Sequence, residues 1–319
     1  MTIARRDLLT TLTLATLPAL AHAQAMPKPG KRDWAAQFPV LRIGMLGGEN
    51  DADRLARYGG YRKLLETTFE MPIKLVVAAD YAGAIQAFAA KHIELAYMSP
   101  SAYASAWTQS DGDVLPILVT QEQDGSTAYV AAMYTRADSG ITNLADMKGR
   151  ALAWSDPNSA SGYLIPRAEF RAAGIDPEPK RYFARTGFAG GHEQAVVAVL
   201  NRQYDAGVAW ISGIGDPAGG YSRGVFRMMV DKKMINMTDL RVIWTSRPIL
   251  NGPIVLRRST PKGFQDDMFA FHLALPLAHP DIYHAIDMGS GKRWVPVTHE
   301  DYVVFIDMLK QEAAERRRR

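Results

Sequence analysis

The chain has no cysteine among its 319 residues. Disulfides, thiolate zinc sites, iron–sulfur clusters and a cysteine nucleophile are therefore excluded, as is a lipid anchor on an N-terminal cysteine. Histidine is sparse, at seven residues, and forms no H-x-H or H-E-x-x-H spacing. No metal site is expected and no cofactor is implied. The phosphate loop G-x-x-x-x-G-K-[ST] and the dinucleotide fingerprint G-x-G-x-x-G after a strand are both absent. No catalytic residue is nominated and an enzyme is not expected.

Charge of one sign is also scarce where it would matter. The formal net charge is +4; residues 1–23 contribute +1 and Arg316, Arg317, Arg318 and Arg319 contribute +4, which leaves −1 for the remainder. The basic balance therefore sits at the ends, and no basic stripe interleaved with aromatics marks a nucleic-acid surface. The final arginines read as a solvated helix end.

What is present is an ordinary globular composition, 47% hydrophobic and 22% charged, long enough for two cores. Residues 1–23 read as a secretory signal: Arg5 and Arg6, an apolar stretch over 8–21 too short to span a bilayer, and an Ala21-His22-Ala23 cleavage site. Export to the periplasm is expected, by the general or the twin-arginine route. A loose lead-in is expected over 24–38.

From residue 40 strand-like and helix-like segments alternate. Strands are predicted at 40–46, 73–78, 93–98 and 115–120, with helices at 51–70, 81–91 and 101–110 between them. A second series has strands at 129–135, 150–155, 181–184, 206–210 and 240–246, and helices at 143–148, 161–173, 192–201 and 224–233. Such alternation predicts an α/β fold with mostly parallel sheets covered by helices. The last part holds one strand, 253–257, and helices at 261–275, 280–288 and 299–314, too little for a third domain. It is expected to return to the first lobe. Lobe 1 is then 39–132 with 253–315, lobe 2 is 133–252, and 316–319 is the arginine tail. Crossovers near 133–135 and 253–255 would join two mixed or parallel sheets, the topology of type II periplasmic binding proteins, which close by hinge bending.

Three strand-to-helix turns carry candidate chemistry. In Asp156-Pro157-Asn158-Ser159-Ala160-Ser161-Gly162 small residues let an anion approach free N–H groups at a helix start, and two hydroxyls add donors. The plainer reading is a serine N-cap. Pro166 would interrupt a helix begun at Ser161, so the first turn is expected to be separate or kinked. Tyr97-Met98-Ser99-Pro100-Ser101 forms a second such turn, and the two could clamp an oxyanion from opposite lobes at the carboxyl ends of strands. Gly190-Gly191-His192-Glu193 is the third, where His192 would donate to an anion that stabilises its protonated form. Tyr81, opening a helix after Asp80, is either a lid over a ligand or a core residue.

The segments Asp80-Tyr81-Ala82-Gly83, Asp156-Pro157-Asn158-Ser159-Ala160-Ser161-Gly162, Gly191-His192-Glu193 and Pro253-Ile254-Val255 together resemble the phosphonate-binding proteins of ABC importers, over roughly 41–307. The resemblance implies a two-lobe protein that captures a phosphonate, alkylphosphonate or phosphite and delivers it to a permease, as a monomer touching the inner membrane only through that partner. It assigns oxyanion contacts to Ser159, the Ala160 N–H, Ser161, His192 and Tyr81. A further tyrosine position falls at Met98, with Tyr97 adjacent and Ser99 a substitute donor. Family members that bind aminoethylphosphonate hold its ammonium with acidic residues where this chain has Ser212 and Gly252. A tail-free or neutral-tailed oxyanion is therefore expected to fit better, with Trp210 filling the tail space unless the loop of Asp216 returns a carboxylate. A sensory module reporting to a membrane kinase and an exported enzyme are the other classes this fold admits.

Overall fold

The computed structural model describes residues 25–317. The expected signal sequence and the last two arginines lie outside them. The first series comprises β1 (Leu41–Met45), α1 (Asp51–Phe69), β2 (Ile73–Val77), α2 (Tyr81–Ala89), β3 (Leu95–Tyr97), α3 (Pro100–Gln109) and β4 (Leu115–Gln121). The second comprises β5 (Ala128–Arg136), β6 (Ala151–Trp154), α4 (Ile165–Ala172), β7 (Arg185–Phe188), α5 (His192–Leu200), β8 (Ala206–Ile211), α6 (Val225–Asp231), β9 (Leu240–Thr245) and β10 (Ile249–Leu250). The chain ends with β11 (Pro253–Leu256), α7 (Lys262–Ala278), α8 (Pro280–Asp287), β12 (Arg293–Pro296) and α9 (Val303–Arg317).

Two six-stranded mixed sheets result. The first runs β12-β4-β11-β3-β1-β2; the second runs β10-β5-β8-β6-β7, with β9 also on β5. In each, the parallel pairs (β1 with β2 and β3, β6 with β7 and β8) are joined by helical crossovers, and antiparallel strands complete the sheet. The returning β11 is held antiparallel between β3 and β4, so the C-terminal part does finish lobe 1, as the sequence pattern implies.

Four placements differ from expectation. The first crossover is at residues 122–127, not 133–135: Met133, Tyr134 and Thr135 pair on both sides within the second sheet, with β8 and with β9. The apolar run of β5 extends past the boundary and masks it. The return crossover is Asn251-Gly252, between β10 and β11. The strand expected at 181–184 lies at Arg185–Phe188 instead, where an exposed edge strand carries little apolar signal. The last part holds a second strand, β12, whose Trp294 is buried among flanking exposed residues.

The lead-in is also packed rather than loose. Trp34 lies 5.1 Å from Phe264 and its Nε1 donates to Asp267 at 2.7 Å. Trp34 and Phe38 thus belong to the lobe 1 core with Phe69, Phe271 and Tyr283. No helix among the described residues is long and apolar enough to cross a membrane.

Candidate functional site

A cavity of about 90 Å3 lies between the lobes, at the carboxyl ends of β1, β3 and β8, the position that open α/β sheets offer to ligands. Tyr81, Tyr97, Ser99, Ser159, Ser161, His192, Trp210 and Gly252 all line it. Both Met98 and Tyr97 reach it.

On the lobe 2 wall, the Ser159 turn is built around a π-turn, Ala160–Leu164, that precedes α4. Pro166 then falls at the second position of α4, where its missing N–H leaves no bond unmade. This is the separate first turn that the proline predicts. Gly162 is required by close approach: a Cβ there would stand 2.5 Å from Ser155 Cβ and 2.9 Å from His192 Cε1.

The turn is locked by a chain of hydrogen bonds whose direction can be read. Ser155 has one hydroxyl proton and donates it to the Val208 carbonyl at 2.7 Å. Its oxygen must then accept from His192 Nδ1–H at 2.9 Å. Burial of His192 lowers its pKa from 6.5 to about 4, so the ring is neutral near pH 7. Nε2 is therefore an acceptor and takes the Ser159 hydroxyl proton at 3.1 Å. The Ser159 oxygen accepts in turn from the Gly162 N–H at 3.0 Å. His192 is thus in the wall as a neutral ring whose two nitrogens are taken up by Ser155 and Ser159. Desolvation outweighs the opposing effect of the Val208 carbonyl.

With Ser159 and His192 occupied by each other, the free donors of this wall are elsewhere. The N–H groups of Ala160 and Ser161 open the π-turn and meet no acceptor among the described residues. The side chain of Ala160 is buried outside the cavity lining. Ser161 lines the cavity with its hydroxyl beside that of Tyr129, and the Tyr81 hydroxyl faces Ser159 from lobe 1. Burial pushes the phenols of both tyrosines up, so both remain protonated donors.

The Ser99 turn is made differently. Ser99 is an ordinary N-cap, its oxygen accepting from the Ala102 N–H at 3.1 Å, with Pro100 first in the helix. Ser101 donates across the cleft to the Asn158 carbonyl at 2.6 Å. The lobes meet at further points. Lys232 Nζ lies 2.7 Å from Asp53 and 3.4 Å from Glu193. Gly48 and Gly191 approach so closely that a Cβ on Gly191 would stand 2.5 Å from the Gly48 carbonyl oxygen.

Two nominated selectivity positions are outside the cavity. Ser212 is a buried turn residue bonded to Ser222 Oγ at 2.7 Å. Asp216 is exposed and caps its own short turn, accepting from the Ala218 and Gly219 N–H groups, so its loop returns no carboxylate. Gly252 lines the cavity because nothing larger fits: a Cβ would stand 2.0 Å from the Met98 carbonyl oxygen.

Sequence reasoning missed Tyr129 and Arg223. Tyr129 stands at the start of β5 just past the true crossover, and placing the crossover correctly would have drawn attention to it. Arg223 is 1% exposed, lines the cavity, and has no local sequence signal. Its partners Glu122 and Asp287 lie 101 and 64 positions away.

A cleft between two α/β lobes, with N–H groups left unpartnered on one wall, is the architecture of a solute-binding protein. The family described as "ABC transporter, phosphonate, periplasmic substrate-binding protein" matches residues 43–302, and the chain belongs to it. It is 30% identical over 244 residues to the "Phosphate-import protein PhnD" of Mycolicibacterium smegmatis, covering 73% of this chain and 71% of that one. It is 26% identical over 266 residues to the "Phosphonates-binding periplasmic protein" of Escherichia coli, covering 82% and 70%. Among solved structures, PhnD1 of Prochlorococcus marinus in complex with methylphosphonate superposes with a TM-score of 0.71 at 16% identity, covering 86% of this chain and 98% of that one. A binding component of an ABC phosphonate transporter from Pseudomonas aeruginosa superposes at 0.72 with 22% identity, covering 85% of each. The family is a transport component, not an enzyme, and places the protein in the periplasm.

Proposed function

We propose that the protein captures a small phosphorus oxyanion, a phosphonate, alkylphosphonate or phosphite, in this cleft and delivers it to the permease of an ABC importer. The observation that carries the reading is the lobe 2 wall: two unpartnered N–H groups, of Ala160 and Ser161, and the Ser161 hydroxyl, preset by the buried Ser155–His192–Ser159 chain. Preset neutral donors bind a charged oxygen strongly without a counter-cation. The phenols of Tyr81 and Tyr129 supply donors to the remaining oxygens. An oxyanion touching Tyr81 on lobe 1 and the Ser161 turn on lobe 2 makes contacts that only the closed state offers, so it shifts the population toward closure. Both walls come from one chain, and the binding unit is a monomer.

Calorimetric titration of the ligand-free mature protein with phosphite, methylphosphonate, phosphate and sulfate tests the proposal. One-to-one binding of phosphite or methylphosphonate well above that of sulfate is the expected result. Binding of sulfate alone, or of none of the four, would overturn it.

A further inference from the structure

Arg223 lines the same cavity as the Ser161 turn, beside a wall formed by Tyr129 and Trp210. The Tyr129 and Trp210 rings meet edge to face at 6.1 Å, and the guanidinium lies over Trp210 at 5.4 Å. Its Nη1 donates to Glu122, and its Nε lies 3.0 Å from the Asp287 carbonyl and 2.9 Å from Asp287 Oδ2. Both carboxylates are buried, and neither lines the cavity. Nη2 makes no hydrogen bond to any described residue, yet it is not among the sealed, unpartnered atoms. Arg223 lines the cavity, and Nη2 is its one nitrogen without an acceptor among the described residues.

This arrangement has a polarity. The acids stand behind the guanidinium, which shows the cavity donors and no acceptor. Clamping by two carboxylates and stacking on Trp210 hold it in place, so a ligand tail gains the bond without ordering a loose side chain. A tail carrying an ammonium meets N–H groups and like charge at Arg223, and the carboxylates that line the cavity, Glu49 and Glu193, are already paired with Arg57 and Lys232, which is costly in a desolvated site. A tail ending in an oxygen acceptor completes the guanidinium.

We propose that Arg223 is the specificity-determining residue at the tail end of the cleft, selecting phosphonates whose tail is small and neutral or ends in a carboxylate or carbonyl, against those ending in an ammonium. This inference rests on the oxyanion reading above. It adds the class of tail and the residue that reads it.

The test is titration of the whole mature protein with methylphosphonate, phosphonoacetate and 2-aminoethylphosphonate. Expected is phosphonoacetate at least as tight as methylphosphonate, and 2-aminoethylphosphonate weaker than either by about tenfold or more. In Arg223→Met the phosphonoacetate advantage should vanish. The ammonium-tailed ligand should gain, because Glu122 and Asp287 are then uncovered. Should that variant fail to fold around two uncompensated acids, Glu122→Gln with Arg223→Met removes one of them and should still erase the ranking. Tight binding of 2-aminoethylphosphonate by the unmodified protein, or a ranking unchanged in the folded variant, overturns the inference while leaving the oxyanion reading intact. Failure of all three ligands to bind overturns the inference alone if phosphite still binds, and both readings if it does not.

Discussion

The Ser99 and Ser159 turns look alike in sequence and do different work. Each follows a strand, opens a helix and places two hydroxyls two positions apart. At Ser99 the cap is closed on its own helix, and Ser101 uses its proton to hold the opposite lobe at Asn158. At Ser159 the cap is tied inward to His192, and the π-turn leaves two N–H groups without acceptors. The first turn fastens one lobe to the other, and the second leaves donors free at the cleft. The difference lies in where each hydroxyl proton goes, which residue types alone do not specify.

The largest way to break this division is to keep the lobes apart. Gly191 has extended backbone, so a side chain there meets the movable end of Gln194 and, across the cleft, the backbone of Gly48. Gly191→Val should fold normally and lose about a hundredfold or more in affinity for whichever ligand binds, by the overlap it forces at closure. An unchanged dissociation constant would mean that closure does not use this contact.

Acid should expose the buried histidine bonded to Ser159. His192 and His272 resist protonation down to about pH 4 when folded, whereas in the unfolded chain each takes its proton near 6.5. The unfolded chain therefore binds more protons between those values. The stability conferred is complete above pH 6.5 and drains away as pH falls toward 4. Asp287, raised by burial to about 6, acts in the opposite sense and returns some stability as pH falls below that value. The balance of two losses and one gain is a loss on the order of 3 kcal/mol, read as a lower thermal midpoint. His192→Gln should shallow that fall; the same slope in the variant would contradict a neutral His192.

Paired alanine substitutions sharpen the contrast directly. Ser161→Ala should weaken oxyanion binding by roughly 1.5–3 kcal/mol, the range for a hydrogen bond to a charged group. Ser101→Ala should cost only about 0.5–1.5 kcal/mol, and by the same factor for every ligand, because it loosens closure rather than recognition. Equal, ligand-independent effects of the two would erase the distinction. The smallest effect belongs to the rim: Asp53→Asn removes one exposed partner of Lys232 and should change affinity by less than about 1 kcal/mol, fading as salt rises.

These asymmetries mark where sequence reading stops. The alternation of strands and helices, the return of the C-terminal part to lobe 1 and the separate turn before Pro166 were legible, because periodicity and proline geometry are local. So were the serines, Tyr81 and His192 as lining residues, since each follows a strand end. The state of His192 was not, because burial and the proton chain are assembled from Ser155, Ser159 and Val208 on separate elements. Arg223 escaped for a related reason: a buried cation breaks the rule that charge lies outside, and its two acids come from distant parts of the chain. Asp216 misled because a carboxylate beside glycines and a proline caps its own turn at no distance at all.

The chain from Gly162 through Ser159, His192 and Ser155 to the Val208 carbonyl has a head and a tail. Every member passes its proton toward the interior of lobe 2, and the lone pair left on Ser159 faces the Tyr81 hydroxyl. The edge of the turn formed by the Ala160 and Ser161 N–H groups gives hydrogens and takes none. A bare oxygen is welcome against it, and an oxygen carrying its own hydrogen is not. A ligand still holding one acidic proton must turn that corner toward lobe 1. In this way the edge of free N–H groups fixes the orientation in which a partly protonated oxyanion can lie.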